Sequence, residues 1–168
     1  METFFTKDIV ISCVCSFIGC LAFGVQFNIR FRHLIAASVG SIASQLIYSL
    51  MSVSEYSAIK CCFAAAAAVA LYSEIMARCC KAPVNMYLIV GIIPLVPGGL
   101  LYYTMLALVT GDNETFLDRA AEAFGEAGAI AMGIFAVSSA VKIASDLYKY
   151  FSKKYGSSFK GGNGVKKI

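Results

Sequence analysis

The chain has 168 residues, of which 59% are hydrophobic and only 14% charged, whereas a soluble domain is about 45–50% apolar and about 25% charged. That balance excludes a soluble catalytic domain and indicates an all-α integral membrane protein, since five spans of roughly 20 residues with short loops use nearly the whole length. The formal charge of +4 says less than the places where the basic residues fall.

Apolar runs of spanning length cover residues 9–27, 34–51, 58–77, 85–108 and a fifth within 120–148. They predict a five-helix transmembrane domain over 1–150, followed by a flexible, basic cytoplasmic tail over 151–168. The tail is rich in glycine, serine and lysine and cannot bury a core. Its lysines act as topology determinants, with contact to anionic membrane lipid as the other reading. The first run lacks the short apolar core and small-residue cleavage site of a secretory signal, so it is read as a retained span.

Basic residues set the orientation. Arg30 and Arg32 fall in the first loop, Arg78 and Lys81 in the third, and Lys149 stands just before the five lysines of the tail; the second loop has neither type and the fourth is acidic. Short loops rich in Lys and Arg stay on the cytoplasmic side, which places the N-terminus outside and the C-terminus in the cytoplasm. An odd number of spans also means that a related five-helix unit joined in tandem would lie inverted, a common transporter plan. A bundle this small suggests a homo- or hetero-oligomer.

In the second span Gln45 either lines a pathway or bonds a neighbouring helix. The third span carries Ala64 to Ala68 and Ala70, a packing face that lets another backbone approach. Lys60 and Glu74 stand near its ends, where snorkelling explains them, and Glu74 with Arg78 forms a pair at spacing four. His33 marks the membrane edge. The seven cysteines, at 13, 15, 20, 61, 62, 79 and 80, have no disulfide or zinc spacing and read as small apolar fillers.

The fourth span is interrupted by Ile93-Pro94-Leu95-Val96-Pro97-Gly98-Gly99. Two prolines delete amide donors and two glycines loosen the backbone. In hydrocarbon such a break survives only inside protein or beside a water-filled cavity. Pro97 and Gly98 are expected to open a new half-helix near the bilayer centre, whose free amides and dipole favour an anion. Gly99 belongs to the same break, and Tyr102, Tyr103 and Thr104 follow within two turns and offer hydroxyls. A proline kink that only shapes packing is the competing account.

In the fifth span Ala121, Gly125, Ala129 and Gly133 stand four apart and read first as a helix-packing stripe. Asp118, Glu122 and Glu126 share the same spacing. Stacked carboxylates suit a proton-coupled carrier, with Glu126 and Glu122 as the coupling candidates. Alternatively residues 127–148 alone cross, leaving the acids on a solvated turn offset by Arg119. No nucleophile triad, phosphate loop or metal-ligand cluster occurs, so the expectation is a non-enzyme without cofactor, metal or nucleic-acid partner.

Phe23-Gly24-Val25-Gln26-Phe27-Asn28, then Arg32 and Leu34, Gly40-Ser41-Ile42, and the Pro94-x-x-Pro97-Gly98 segment with its downstream tyrosine and Thr104 resemble the threonine/serine exporter family. The likeness runs from about residue 9 to 150 and is closest to the small, stand-alone subunit that corresponds to the C-terminal membrane half. It implies a multi-pass exporter subunit of the bacterial inner membrane, working with a larger five-span partner that carries a soluble portion. It also implies proton-driven efflux of threonine and serine, or of succinate for two-component members, with Asn28 and Arg32 as family motif residues. The acids of the fifth span match no family motif.

Together these readings predict a subunit of a secondary exporter of small carboxylate-bearing metabolites, exchanging them against protons. The alternatives are a structural subunit that supports a partner's pathway, and a passive channel.

Overall fold

The computed structural model describes residues 2–160, which form helices joined by short turns. In chain order these are α1 (Glu2–Gln26), α2 (Phe31–Val53), α3 (Ala58–Cys80), α4 (Val84–Ile92), a 3-10 turn (Ile93–Leu95), α5 (Gly98–Thr110) and α6 (Asn113–Lys160). Four of them are long and apolar enough to cross a membrane. The segments Val84–Leu95 and Gly98–Thr110, bent by 55° at their junction, make a fifth when taken as one broken span. The all-helical, five-span plan is therefore observed, with the fourth crossing broken where the prolines fall.

Two boundaries differ from the sequence reading. The last helix begins at Asn113, before the apolar run that defined the fifth span, because Asp112 caps it: the Thr115 amide donates to Asp112 Oδ1 at 3.2 Å. At its other end α6 continues through 151–160, a stretch assigned from sequence to the tail, and 161–168 lie outside the described residues.

Helix ends are closed by residues in the left-handed region. Asn28 (φ 54), Glu55 (φ 58), Lys81 (φ 51) and Gly111 (φ 78) each follow a helix C-terminus. At the end of α1, the Ile29 amide reaches back to Gly24 O (3.1 Å) and the Asn28 amide to Val25 O (2.9 Å). This is the paired-bond Schellman closure, and asparagine tolerates the left-handed conformation better than most side chains.

Helices α2, α3 and α4 form the centre, α1 packs mainly on α2, and α6 packs on α3 and α5. The interior is built of small side chains: Ala37, Ser38, Ser41, Ser44, Ala65, Ala66, Ala70 and Ser73 are fully buried, while Val10, Ile18, Leu71, Ile75, Phe124, Met132 and Phe135 face outward. Such a pattern suits a lipid environment, where close backbone packing holds helices together and large apolar side chains meet acyl chains. The alanine run of α3 does this against α6. A Cβ on Gly133 would stand 2.7 Å from Phe63 O, so the two backbones are in near contact.

Candidate functional site

The broken span is held from the side of α1 and α2. Pro94 has no amide to offer either Val90 O, four residues back, or Gly91 O, three back. Val90 O instead accepts from the Ile93 amide and from Cys20 Sγ of α1 at 3.2 Å. Gly91 O accepts from Ser44 Oγ of α2 at 3.0 Å. Side chains of neighbouring helices thus replace the donor that the proline removes, which is how buried non-helical backbone is tolerated in a membrane.

On the far side of the break the expected row of free amides is narrower than the sequence suggests. Pro97 (φ −75, ψ 57) centres a tight inverse γ-turn, in which the Gly98 amide donates to Val96 O at 2.7 Å. The Leu101 amide is the first to bond within α5, to Pro97 O at 3.0 Å. Gly99 and Leu100 therefore supply the amides at this terminus that lack an intrahelical acceptor. Gly98 and Gly99 are exposed on the surface of the bundle.

Glu126 stands level with the break. Helices α5 and α6 pack as an antiparallel pair about the turn Gly111-Asp112, and Gly98 and Glu126 are each fourteen residues from Asp112. At about 1.5 Å per residue both lie roughly 21 Å from the turn, which is deep in a core about 30 Å thick. The packing agrees: Leu95 of the 3-10 turn shares one buried cluster with Cys62, Ala65 and Ala66 of α3 and with Ala129 and Ile130 of α6, and Tyr48 of α2 packs against it. Glu126 is 7% exposed and lies within electrostatic reach of Tyr48, Cys62 and Glu122. It makes no hydrogen bond or ion pair among the described residues.

The remaining candidates separate. Glu122 is exposed and pairs with Arg119 at 3.6 Å, and Asp118 is exposed on the same outer stretch. Thr104 is buried, but its hydroxyl donates to its own helix at Leu100 O (2.7 Å). Tyr102 and Tyr103 face outward and stack edge to face on each other, with ring centroids 5.4 Å apart. Gln45 is half-buried on α2 and makes no side-chain hydrogen bond among the described residues. Pro94 and Pro97 are half-buried within the break. Asn28 serves the α1 closure, and Arg32 is exposed in the first turn of α2. Among the described residues no group of His, Cys, Asp and Glu side chains is placed to hold a metal ion.

Sequence reasoning missed Tyr48 and Cys62 near Glu126, Leu95 in the cluster one turn away, and Ser44 and Cys20 at the break. Ser38, Ser41 and Ser44 recur every three residues within an apolar span, and that signal marks a polar helix face. Cys20 and Cys62 carry no comparable mark in the sequence.

A multi-span bundle with a broken crossing seated beside a buried, unpaired carboxylate has the build of a membrane transporter. The sequence agrees: the family described as "Threonine/Serine exporter, ThrE" matches residues 12–140, and the chain belongs to the threonine/serine exporter family. No curated protein and no solved structure matches the chain.

Proposed function

We propose that this chain is a subunit of a secondary exporter that moves a small carboxylate-bearing metabolite, threonine or serine or a dicarboxylate such as succinate, outward against protons. The observation that carries this reading is the burial of Glu126 level with the broken span, one turn of α6 from the Ala129 and Ile130 that pack with Leu95. A carboxylate without a partner at that depth has no packing role that an apolar residue would not fill better, and it is free to take up and release a proton. The Gly99 and Leu100 amides, at the positive end of α5, face the place where a solute carboxylate needs donors.

Gly98 and Gly99 open on the outer surface of the subunit. This favours a pathway completed by a second subunit, the larger five-span partner implied by the sequence resemblance, over one enclosed by this chain alone. The orientation set by the basic loops puts the N-terminus outside, in a bacterial inner membrane. The test is efflux from loaded vesicles containing both subunits, with and without an imposed pH gradient. Gradient-dependent efflux that needs both chains supports the proposal. A rate indifferent to the gradient means a passive channel, and efflux by the partner alone leaves this chain a structural role.

A further inference from the structure

A second polar site lies at the opposite end of α2 from Tyr48, about 24 Å away at 1.5 Å per residue. Where α2 begins and α3 ends, the bundle opens into a cavity of about 780 Å³ walled by Arg30, Arg32 and His33 on one side and by Met76, Cys79 and Cys80 on the other. Its volume falls within the range of about 300–1,000 Å³ usual for small-molecule sites. Among the described residues no acidic side chain lines it.

The two arginines are uncommitted. The ion pairs among the described residues are Arg78 with Glu74 and Arg119 with Glu122, and neither the Arg30 nor the Arg32 side chain makes a hydrogen bond among those residues. His33, by contrast, is fixed: its Nδ1 lies 2.7 Å from the hydroxyl of the fully buried Tyr87, and the two rings meet edge to face. The backbone adds to the positive field. Helix α2 has no side-chain cap and no acid in its first turn, and its first backbone bonds come from the His33 and Leu34 amides to Arg30 O. The Phe31 and Arg32 amides precede them unbonded within the helix.

We infer that this cavity is an oxyanion-binding vestibule, in which Arg30 and Arg32 grip a carboxylate or phosphate while His33, braced by Tyr87, forms the wall behind it. Guanidinium forks match both oxyanions, so the ligand is either the carboxylate of a small free solute or the phosphate of an anionic lipid headgroup. Its place as the entrance to an export route rests on the proposed function; the binding itself does not.

Cys79 and Cys80 are exposed in the wall and serve as reporters. The full chain is placed in discs of phosphatidylcholine alone and labelled with a polar, uncharged thiol reagent, each cysteine being read by mass spectrometry. Succinate at ten times its half-effect concentration is expected to slow labelling at Cys79 and Cys80 by about tenfold, and the neutral analogue succinamide to leave the rate unchanged. Arg30→Gln with Arg32→Gln removes that protection, and Arg32→Lys, which keeps the charge but loses the fork, reduces it. Protection by added phosphatidylglycerol but not by succinate assigns the vestibule to lipid headgroups. Protection by neither, or equal protection by succinamide, overturns the inference. Because labelling needs no transport, loss of efflux with protection intact removes only the exporter reading, and loss of protection with efflux intact removes only the vestibule.

Discussion

The Ser44 hydroxyl of α2 reaches Gly91 O of α4 at 3.0 Å while sharing its one proton with Ser41 O of its own helix at 2.8 Å, and so fills one of the two backbone positions that Pro94 empties. A side chain outside the broken span thereby fixes where and how it breaks. Both atoms are buried, so the bond has no water to replace it.

Ser44→Ala leaves a buried carbonyl without its donor and is expected to destabilise the protein by about 1–2 kcal/mol. Cys20→Ala removes only a thiol, a weaker donor, and is expected to have a smaller effect. Reversible unfolding in detergent micelles checks both; equal stability of Ser44→Ala and the parent would show that the break does not depend on α2.

Two glycines with similar sequence settings are expected to respond in opposite ways. A Cβ at Gly133 meets Phe63 O at 2.7 Å and the Ala67 amide at 3.2 Å, whereas nothing lies within 4 Å of a Cβ at Gly98. Gly133→Ala is expected to lose about 1–3 kcal/mol by forcing α6 off α3. Gly98→Ala keeps its stability but slows efflux, because the methyl group crowds the approach to the α5 amides. Thermal unfolding and vesicle efflux on the same two variants make the comparison, and normal transport by Gly98→Ala counts against a solute at that terminus.

Glu126→Gln preserves shape and removes the exchangeable proton. It is expected to lower gradient-driven efflux by about tenfold or more, while Glu122→Gln, which breaks the exposed pair with Arg119 and removes one neighbouring charge from Glu126, leaves efflux near the parent rate. Similar losses in both variants would point to the acidic face as a whole instead of to the buried group.

Hydrogen bonding from Thr115, through its side chain and then its amide, holds the Asp112 carboxyl below its ordinary value. A carboxylate whose folded pKa is lowered contributes stability above its unfolded value, about 3.9, and loses it as the pH falls through the folded value. The gap in unfolding temperature between the parent and Asp112→Ala is therefore expected to be full at neutral pH and to close as the pH drops below about 4. A gap unchanged between pH 7 and pH 3 would contradict the cap.

Spans and break were legible in the sequence because both follow from chain-local chemistry: apolar runs of fixed length, and prolines that cannot donate. The burial of Glu126 was open. The sequence put it in register with Glu122 and Asp118, and only the docking of Ala129 and Gly133 on α3 turns its face inward while leaving theirs out. The outward facing of Tyr102 and Tyr103 was not legible, because the 55° bend resets the rotational phase of α5 relative to α4 and no periodicity crosses it. Gly111 followed by Asp112, a stop and then a cap, did carry the early start of α6. The Cys20 bond to Val90 O joins residues far apart in the chain and had no local signature.

The central claim is that export of solute and entry of protons meet at Glu126 beside the broken span. The most direct measurement is proton uptake accompanying threonine or succinate efflux from vesicles that contain both subunits, for the parent and for Glu126→Gln. The account predicts a fixed proton count per solute in the parent, and loss of that coupling in a variant that still folds and assembles. Undiminished coupling in Glu126→Gln would contradict it.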